Sequence, residues 1–143
     1  MLQPVTFWTR GDRNIGGVMP LMVLTNCEEV ELTHSGKAGK RITPDRENFP
    51  HLPHPPVILD QRNYTNEELV LWGQPWPDAT ITGYIGGKPV KSVRFSASPV
   101  ATTLQVEPDA TAIAVHDEVR VMVRALDQMG NKLPFFFDPV AIE

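Results

Sequence analysis

The chain has 143 residues, with 13 Lys plus Arg against 17 Asp plus Glu and a formal net charge of −4. That balance argues against nucleic-acid and anionic-membrane partners, because phosphates call for a cationic face. A single cysteine, Cys27, rules out an intrachain disulfide, so the core and not covalent staples must hold the fold. A chain of this length buries roughly two-thirds of the surface its unfolded form exposes, enough for one real core. With 14 prolines and 10 glycines, the connections are heavily punctuated without reaching the level of disorder.

Residues 1–19 read as an N-terminal arm. The uncharged run from Asn14 to Cys27 is broken by Gly16, Gly17 and Pro20 and is too short to span a bilayer. Leu24-Thr25-Asn26-Cys27 has the outline of a lipoprotein cleavage site, but no basic region with a clean apolar stretch precedes it. From Glu28 to His34 the pattern has period two, with Val30 and Leu32 inward and Glu29, Glu31 and Thr33 outward. This predicts a strand with one wet face, followed by a turn at Ser35 to Gly39.

Thr43 to Pro56 carries Pro44, Pro50, Pro53, Pro55 and Pro56, which fix φ and remove backbone donors, so an extended surface connection is expected there. Thr65-Asn66-Glu67-Glu68 ahead of Leu69 to Trp72 has the form of a capping box opening one or two helical turns. Thr80 to Ile85 and Lys88 to Ser96, joined by Gly86-Gly87, predict a hairpin, since a two-residue turn that matches strand twist needs positive φ. Ser96 to Ala101 is a candidate boundary.

Beyond it, Glu118 to Asp127 alternates, with Val119, Val121, Val123 and Ala125 on one side, which predicts a half-buried strand. Asp127 to Asn131 turns it back toward a run from Leu133 to Ile142, and residues 140–143 still read as strand, as in an excised piece. Short strands at this turn density favour an antiparallel β-sandwich. The residues after the boundary are too few for a sandwich of their own, which takes about 100. They either complete the first sheet or form a partial second β module.

No glycine cluster has the spacing of a phosphate loop or of a dinucleotide fingerprint, so no nucleotide cofactor is expected. His51 and His54 lack a nearby Cys and read as loop residues and not as a metal site. Cys27 reads as a small buried hydrophobe. Glycoside hydrolysis needs two carboxyls roughly 5 to 9 Å apart. The adjacent pairs Glu28-Glu29, Glu67-Glu68 and Asp117-Glu118 point to opposite faces of any strand that carries them, so they read as solvated charge. Arg10-Gly11-Asp12 matches an adhesion tripeptide, a coincidence three residues readily produce.

Trp72 and Trp76 flank Gly73-Gln74-Pro75, with Tyr64 upstream, and together offer flat apolar faces with polar handles suited to a sugar. The competing reading has Trp72 cap the core while Trp76, between Pro75 and Pro77, packs on a neighbouring domain. Trp8 is assigned an interdomain contact in the same way.

Thr25-Asn26-Cys27-Glu28-Glu29-Val30-Glu31-Leu32 resembles a strand pair in the C-terminal immunoglobulin-like modules of glycoside hydrolase family 2 enzymes, chiefly bacterial β-galactosidases. The family usually continues with a Phe-Leu-Asn-Gly-Lys hairpin. Here Thr33-His34-Ser35-Gly36-Lys37 keeps only its Gly-Lys turn. Pro53 to Val57 is similar to the family's extended crossing segment, and Ala79 to Val90 to its next hairpin. Ala101 to Asp109 and Val119 to Pro134 resemble the start of the following module, with its Asp-x-x-Gly-Asn-x-x-Pro turn.

The resemblance implies an all-β, immunoglobulin-like antiparallel sandwich over residues 20–97, after the arm at 1–19 and before a partial module or completing strands at 98–143. It implies a non-catalytic accessory role, because the family's two catalytic glutamates lie in a barrel that would precede this segment. The partners implied are the remaining domains of a parent glycosidase, with carbohydrate and a second copy of the chain left open. Trp8, Arg10, Asp12 and Arg13 then fall near the join and are expected to make interdomain contacts. A carbohydrate-binding module using Tyr64, Trp72 and Trp76 is the alternative. No catalytic residue, cofactor or metal is assigned.

Overall fold

A computed structural model of the chain describes residues 1–5, 20–34, 39–65, 78–134 and 136–141. These divide into two compact units, Met1–Ala97 and Ser98–Glu143. Among the described residues the secondary structure is entirely strand, and no helix is long and apolar enough to cross a membrane. The capping box and the turns that follow it lie outside the described residues beyond Thr65.

The first unit is a sandwich of two antiparallel sheets. One sheet has the order β1-β2-β5, formed by Leu2–Pro4, Leu21–Thr25 and Val57–Leu59. The other has the order β4-β3-β6-β7, formed by Arg41–Ile42, Glu29–His34, Ala79–Ile85 and Lys88–Phe95. Alternation supplies the core, as period two demands. Leu21, Val23, Val57 and Leu59 of the first sheet meet Val30, Leu32, Ala79 and Ile81 of the second in one buried cluster. Fully burying each of the larger aliphatics stabilises the unit by roughly 1.5–3 kcal/mol.

Residues 2–4 belong to this sandwich. They pair with β2, Leu2 opposite Thr25, and the buried Leu2 side chain joins the core, so the first residues of the expected arm are an edge strand. Proline at position 4 and the brevity of the strand hid it from a periodicity reading.

The hairpin of β6 and β7 forms around Gly86 and Gly87, whose φ values of 57° and 71° are left-handed. Between Gly83 and Tyr84 the register slips. There a Cβ on Gly83 would sit 2.5 Å from the Cys27 sulfur, so only glycine lets β6 pass the β2–β3 turn. The proline-rich stretch forms no strand between Ile42 and Val57, although Pro55 is fully buried, so part of it is core lining and not surface connection.

The second unit holds a two-stranded antiparallel sheet, β8 (Ala101–Pro108) with β9 (Val121–Asp127). The turn after β9 is built by Asp127, whose Oδ1 accepts from the backbone N–H groups of Met129 and Asn131 at 2.8 Å each. Gly130 adopts φ 82° there, and the return is a single bridge from Leu126 to Lys132. The run from Leu133 onward is not a strand among its described residues. The predicted inward valines also differ, because Val121 and Val123 are exposed and Ala125 alone of that series is buried. Alternation identified which residues share a face, but among the described residues no element of this unit covers the outer end of that face.

Candidate functional site

Within the first unit a cleft of about 560 Å³ lies between the β2–β3 turn and the proline-rich segment. Asn26, Glu28, Thr43, Arg46 and His54 bring polar groups to it, and Pro44, Pro53 and Pro55 supply its apolar wall.

Much of its polarity is engaged by the fold itself. The Glu28 carboxylate accepts from the backbone N–H of Gly86 at 2.7 Å, which ties the cleft to the β6–β7 turn. Thr25 donates its hydroxyl to the Met1 carbonyl at 2.9 Å and accepts from the Cys27 N–H at 3.0 Å. Asn26 accepts from the Met1 amine. Cys27 is buried beneath, as expected for a small hydrophobe. Among the described residues Glu28 is the single carboxylate of the lining, so these offer no facing pair of the kind glycoside hydrolysis requires.

Two further clusters hold carboxylates. Asp45 accepts from the Asn48 side chain and backbone at 2.8–3.1 Å and from Arg62 at 3.3 Å, and Arg62 also pairs with Asp60 at 3.0 Å. The bonds from Asn48 hold the Asp45 carboxyl below its ordinary value of 3.8, with Arg62 adding to the effect. Bonding to Asp60 and Asp45 raises the Arg62 guanidinium in turn. A proton donor needs a carboxyl pushed upward, so this arrangement is a charged clasp between the proline-rich segment and the exit of β5.

On the outer face of the second sheet, Tyr84 donates to Glu31 at 2.6 Å while Arg41 lies 3.9 Å from the Tyr84 ring centre and 3.4 Å from Glu29. That bond to Glu31, with burial, pushes the Tyr84 hydroxyl above its ordinary value of 10.0. The adjacent Glu28 and Glu29 diverge, one to the hairpin turn and one to Arg41, as alternation requires.

Of the residues singled out for sugar binding, Tyr64 is 5% exposed and packed in the core. Its hydroxyl donates to the Lys40 carbonyl at 3.3 Å. It therefore presents no free ring face for stacking, which corrects the expectation of an exposed platform at this residue. Trp72 and Trp76 lie outside the described residues, as do Trp8, Arg10, Asp12 and Arg13. Among the described residues no three His, Cys, Asp or Glu side chains are grouped to hold a metal ion. The cleft, the Asp45–Arg62–Asp60 clasp and the Glu31–Tyr84–Arg41 array were missed by sequence reasoning. Each joins residues 17 to 58 positions apart, and only the register of the sheets reveals them.

These features define an all-β sandwich domain whose described polar clusters are engaged in holding the fold together. Along its whole length the chain is homologous to one segment of much longer proteins named β-galactosidase. It is 57% identical over 145 residues to the protein of Rhizobium meliloti, all of the chain matching 19% of that relative. It is 41% identical over 146 residues to that of Thermoanaerobacterium thermosulfurigenes, again over the whole chain and 20% of the relative. With that of Thermoanaerobacter pseudethanolicus it shares 34% identity over 131 residues. The chain thus spans about a fifth of the length of the first two relatives. No protein-family model matches it.

Proposed function

We propose that the chain is a non-catalytic accessory module of a β-galactosidase-like enzyme of glycoside hydrolase family 2, an immunoglobulin-like sandwich that buttresses the catalytic barrel or mediates assembly. The observation that carries this reading is the match of the whole chain to only a fifth of its β-galactosidase relatives. The chemistry of the described residues supports it, since Glu28 stands alone in the cleft and Asp45 and Asp60 are clasped by Arg62. Residues 20–97 then form the sandwich proper with β1 as its edge, and 98–143 belong to a second β module. Trp8, Arg10, Asp12 and Arg13 make contacts with the rest of the enzyme.

The test is an assay of the 143-residue chain with a chromogenic β-galactoside, alongside a titration with galactosides and polysaccharides followed by tryptophan fluorescence. The expected result is no turnover and no saturable change. Turnover overturns the accessory reading. Saturable quenching abolished by Trp72→Ala or Trp76→Ala replaces it with a carbohydrate-binding module.

A further inference from the structure

The cleft between the β2–β3 turn and the proline-rich segment holds polar groups that the fold does not use. Arg41, Arg62, Arg120 and Arg124 each pair with a carboxylate, and Arg94 is engaged as well. Arg46 is the one described arginine whose guanidinium has no hydrogen bond or ion pair among the described residues, although Asp45 and Glu47 flank it in sequence. The Asp45 carboxylate is taken by Asn48 and Arg62. Acids outnumber bases by 17 to 13 in this chain, so Arg46 is not unpaired for want of carboxylates. It lines the cleft instead, together with His54, and both residues are exposed.

The spare side-chain capacity of this lining is on the donor side. Asn26 Oδ1 accepts from the Met1 amine, which leaves the amide N–H groups of Asn26 over. The Thr25 hydroxyl is used in both directions, and the Glu28 carboxylate accepts from Gly86. What remains is the guanidinium of Arg46 with its five N–H donors, the His54 imidazole, the Thr43 hydroxyl and the Asn26 amide. An arginine fork with further donors beside it matches the oxygens of a carboxylate or a phosphate. Pro44, Pro53 and Pro55 give the same cleft an apolar wall. Its volume of about 560 Å³ is more than a bare anion needs and lies in the range of roughly 300–1,000 Å³ usual for small-molecule sites.

The loop that carries Arg46 and His54 is held in shape by its own bonds. The Asp45 N–H donates to the Pro56 carbonyl at 2.9 Å and so pinches the loop at its neck, with Arg46 just inside one end and His54 just inside the other. The Phe49 N–H donates to the Asp45 carbonyl at 3.2 Å, and Arg62 clasps the Asp45 side chain. Prolines fix φ along the same loop, so a ligand orders little new backbone on binding.

We propose that this cleft binds a small organic anion, its carboxylate or phosphate held by Arg46 and His54 and its apolar body set against the prolines. The site is built from residues 25–28 and 43–55 and stands whether or not the chain is part of a longer enzyme.

The test is an amide-shift NMR titration of the 143-residue chain with phenyl phosphate and with phenylacetate, using inorganic phosphate and benzyl alcohol as references. The expected result is saturable shifts centred on residues 25–28 and 43–55 with at least one of the two organic anions, at a Kd of about 1 mM or tighter. Whichever anion binds identifies the head group. Inorganic phosphate and benzyl alcohol bind about ten-fold more weakly or not at all, since each lacks one half of the ligand. Arg46→Gln weakens binding by about ten-fold or more with the unfolding midpoint unchanged, Arg46→Lys and His54→Ala weaken it less, and Arg120→Gln leaves it as it was. Glu28→Gln removes the one negative charge of the described lining and tightens binding. The absence of saturable shifts, shifts centred elsewhere, equal binding of either reference compound, or indifference to Arg46→Gln overturns the proposal. Weaker binding by Glu28→Gln overturns it too, because that carboxylate then serves a ligand that donates hydrogen bonds. None of these compounds contains a glycosidic bond, so this titration and the galactoside assay fail separately.

Discussion

At the scale of single residues, one tight constraint is the passage of β6 beneath the β2–β3 turn. A Cβ on Gly83 would lie 2.5 Å from the Cys27 sulfur and 3.3 Å from Leu2 Cδ1, both in the buried interior. Forcing extra volume into a packed core costs about 1–3 kcal/mol. Gly83→Ala is therefore expected to lower the unfolding free energy from urea titration by that amount. Because the closest atom is the sulfur, Cys27→Ala should recover part of the loss, giving a double-mutant cycle with a clear coupling term. A second residue-scale expectation concerns acid. The Asp45 carboxyl is held below 3.8 in the folded chain by Asn48 and Arg62, so its contribution is present above the unfolded value and is lost as pH falls through the folded one. Denaturation curves at pH 7 and pH 3 should show a smaller acid loss for Asp45→Asn than for the parent. An equal loss in both would show that the clasp does not couple protonation to folding. None of this was legible in sequence, where Gly83 is an ordinary strand glycine and Asp45 an ordinary loop acid.

At the scale of elements, the hairpin and β3 were the most legible parts because their signals are local. Gly86 and Gly87 supply the positive φ that β6 and β7 need, and Val30 and Leu32 fall inward with the expected register. A Cβ at either turn glycine meets nothing within 4 Å, so substitution there is penalised by backbone conformation alone. Left-handed backbone costs an L-residue roughly 1–2 kcal/mol. Gly87→Ala should therefore destabilise by about 1 kcal/mol in thermal or urea unfolding, and Gly87→Asn by less, since asparagine tolerates this region. Equal losses for the two would point to something other than φ. Where signals are non-local, the reading was weaker. Val121 and Val123 alternate as cleanly as Val30 and Leu32, but burial depends on a covering layer and not on the period. Tyr64 is the converse case, since its place near two tryptophans in sequence suggested a surface platform, and the fold takes it into the core under Lys40.

At the scale of the molecule, the two units differ in how much of their backbone is shielded. In the first, Val23, Val30, Leu32, Val57, Leu59 and Ile81 are at most 1% exposed, and two sheets close over them. In the second, the described residues bury only Ala125 and Asp127, on a sheet of two strands. Amide exchange follows the free energy of local opening, and strands with few buried apolar contacts open at the least cost. Native-state hydrogen exchange on the 143-residue chain should therefore show the amides of β2, β3 and β6 protected to near the limit of global unfolding. Those of β8 and β9 should exchange at least ten-fold faster. Ile81→Ala should lower protection across β2, β3 and β6 together, since removing that side chain from a closed core costs about 2–5 kcal/mol, a large part of the stability of a domain this size. Equal protection in both units would mean that the β8–β9 sheet is far more stable than its exposed valines allow.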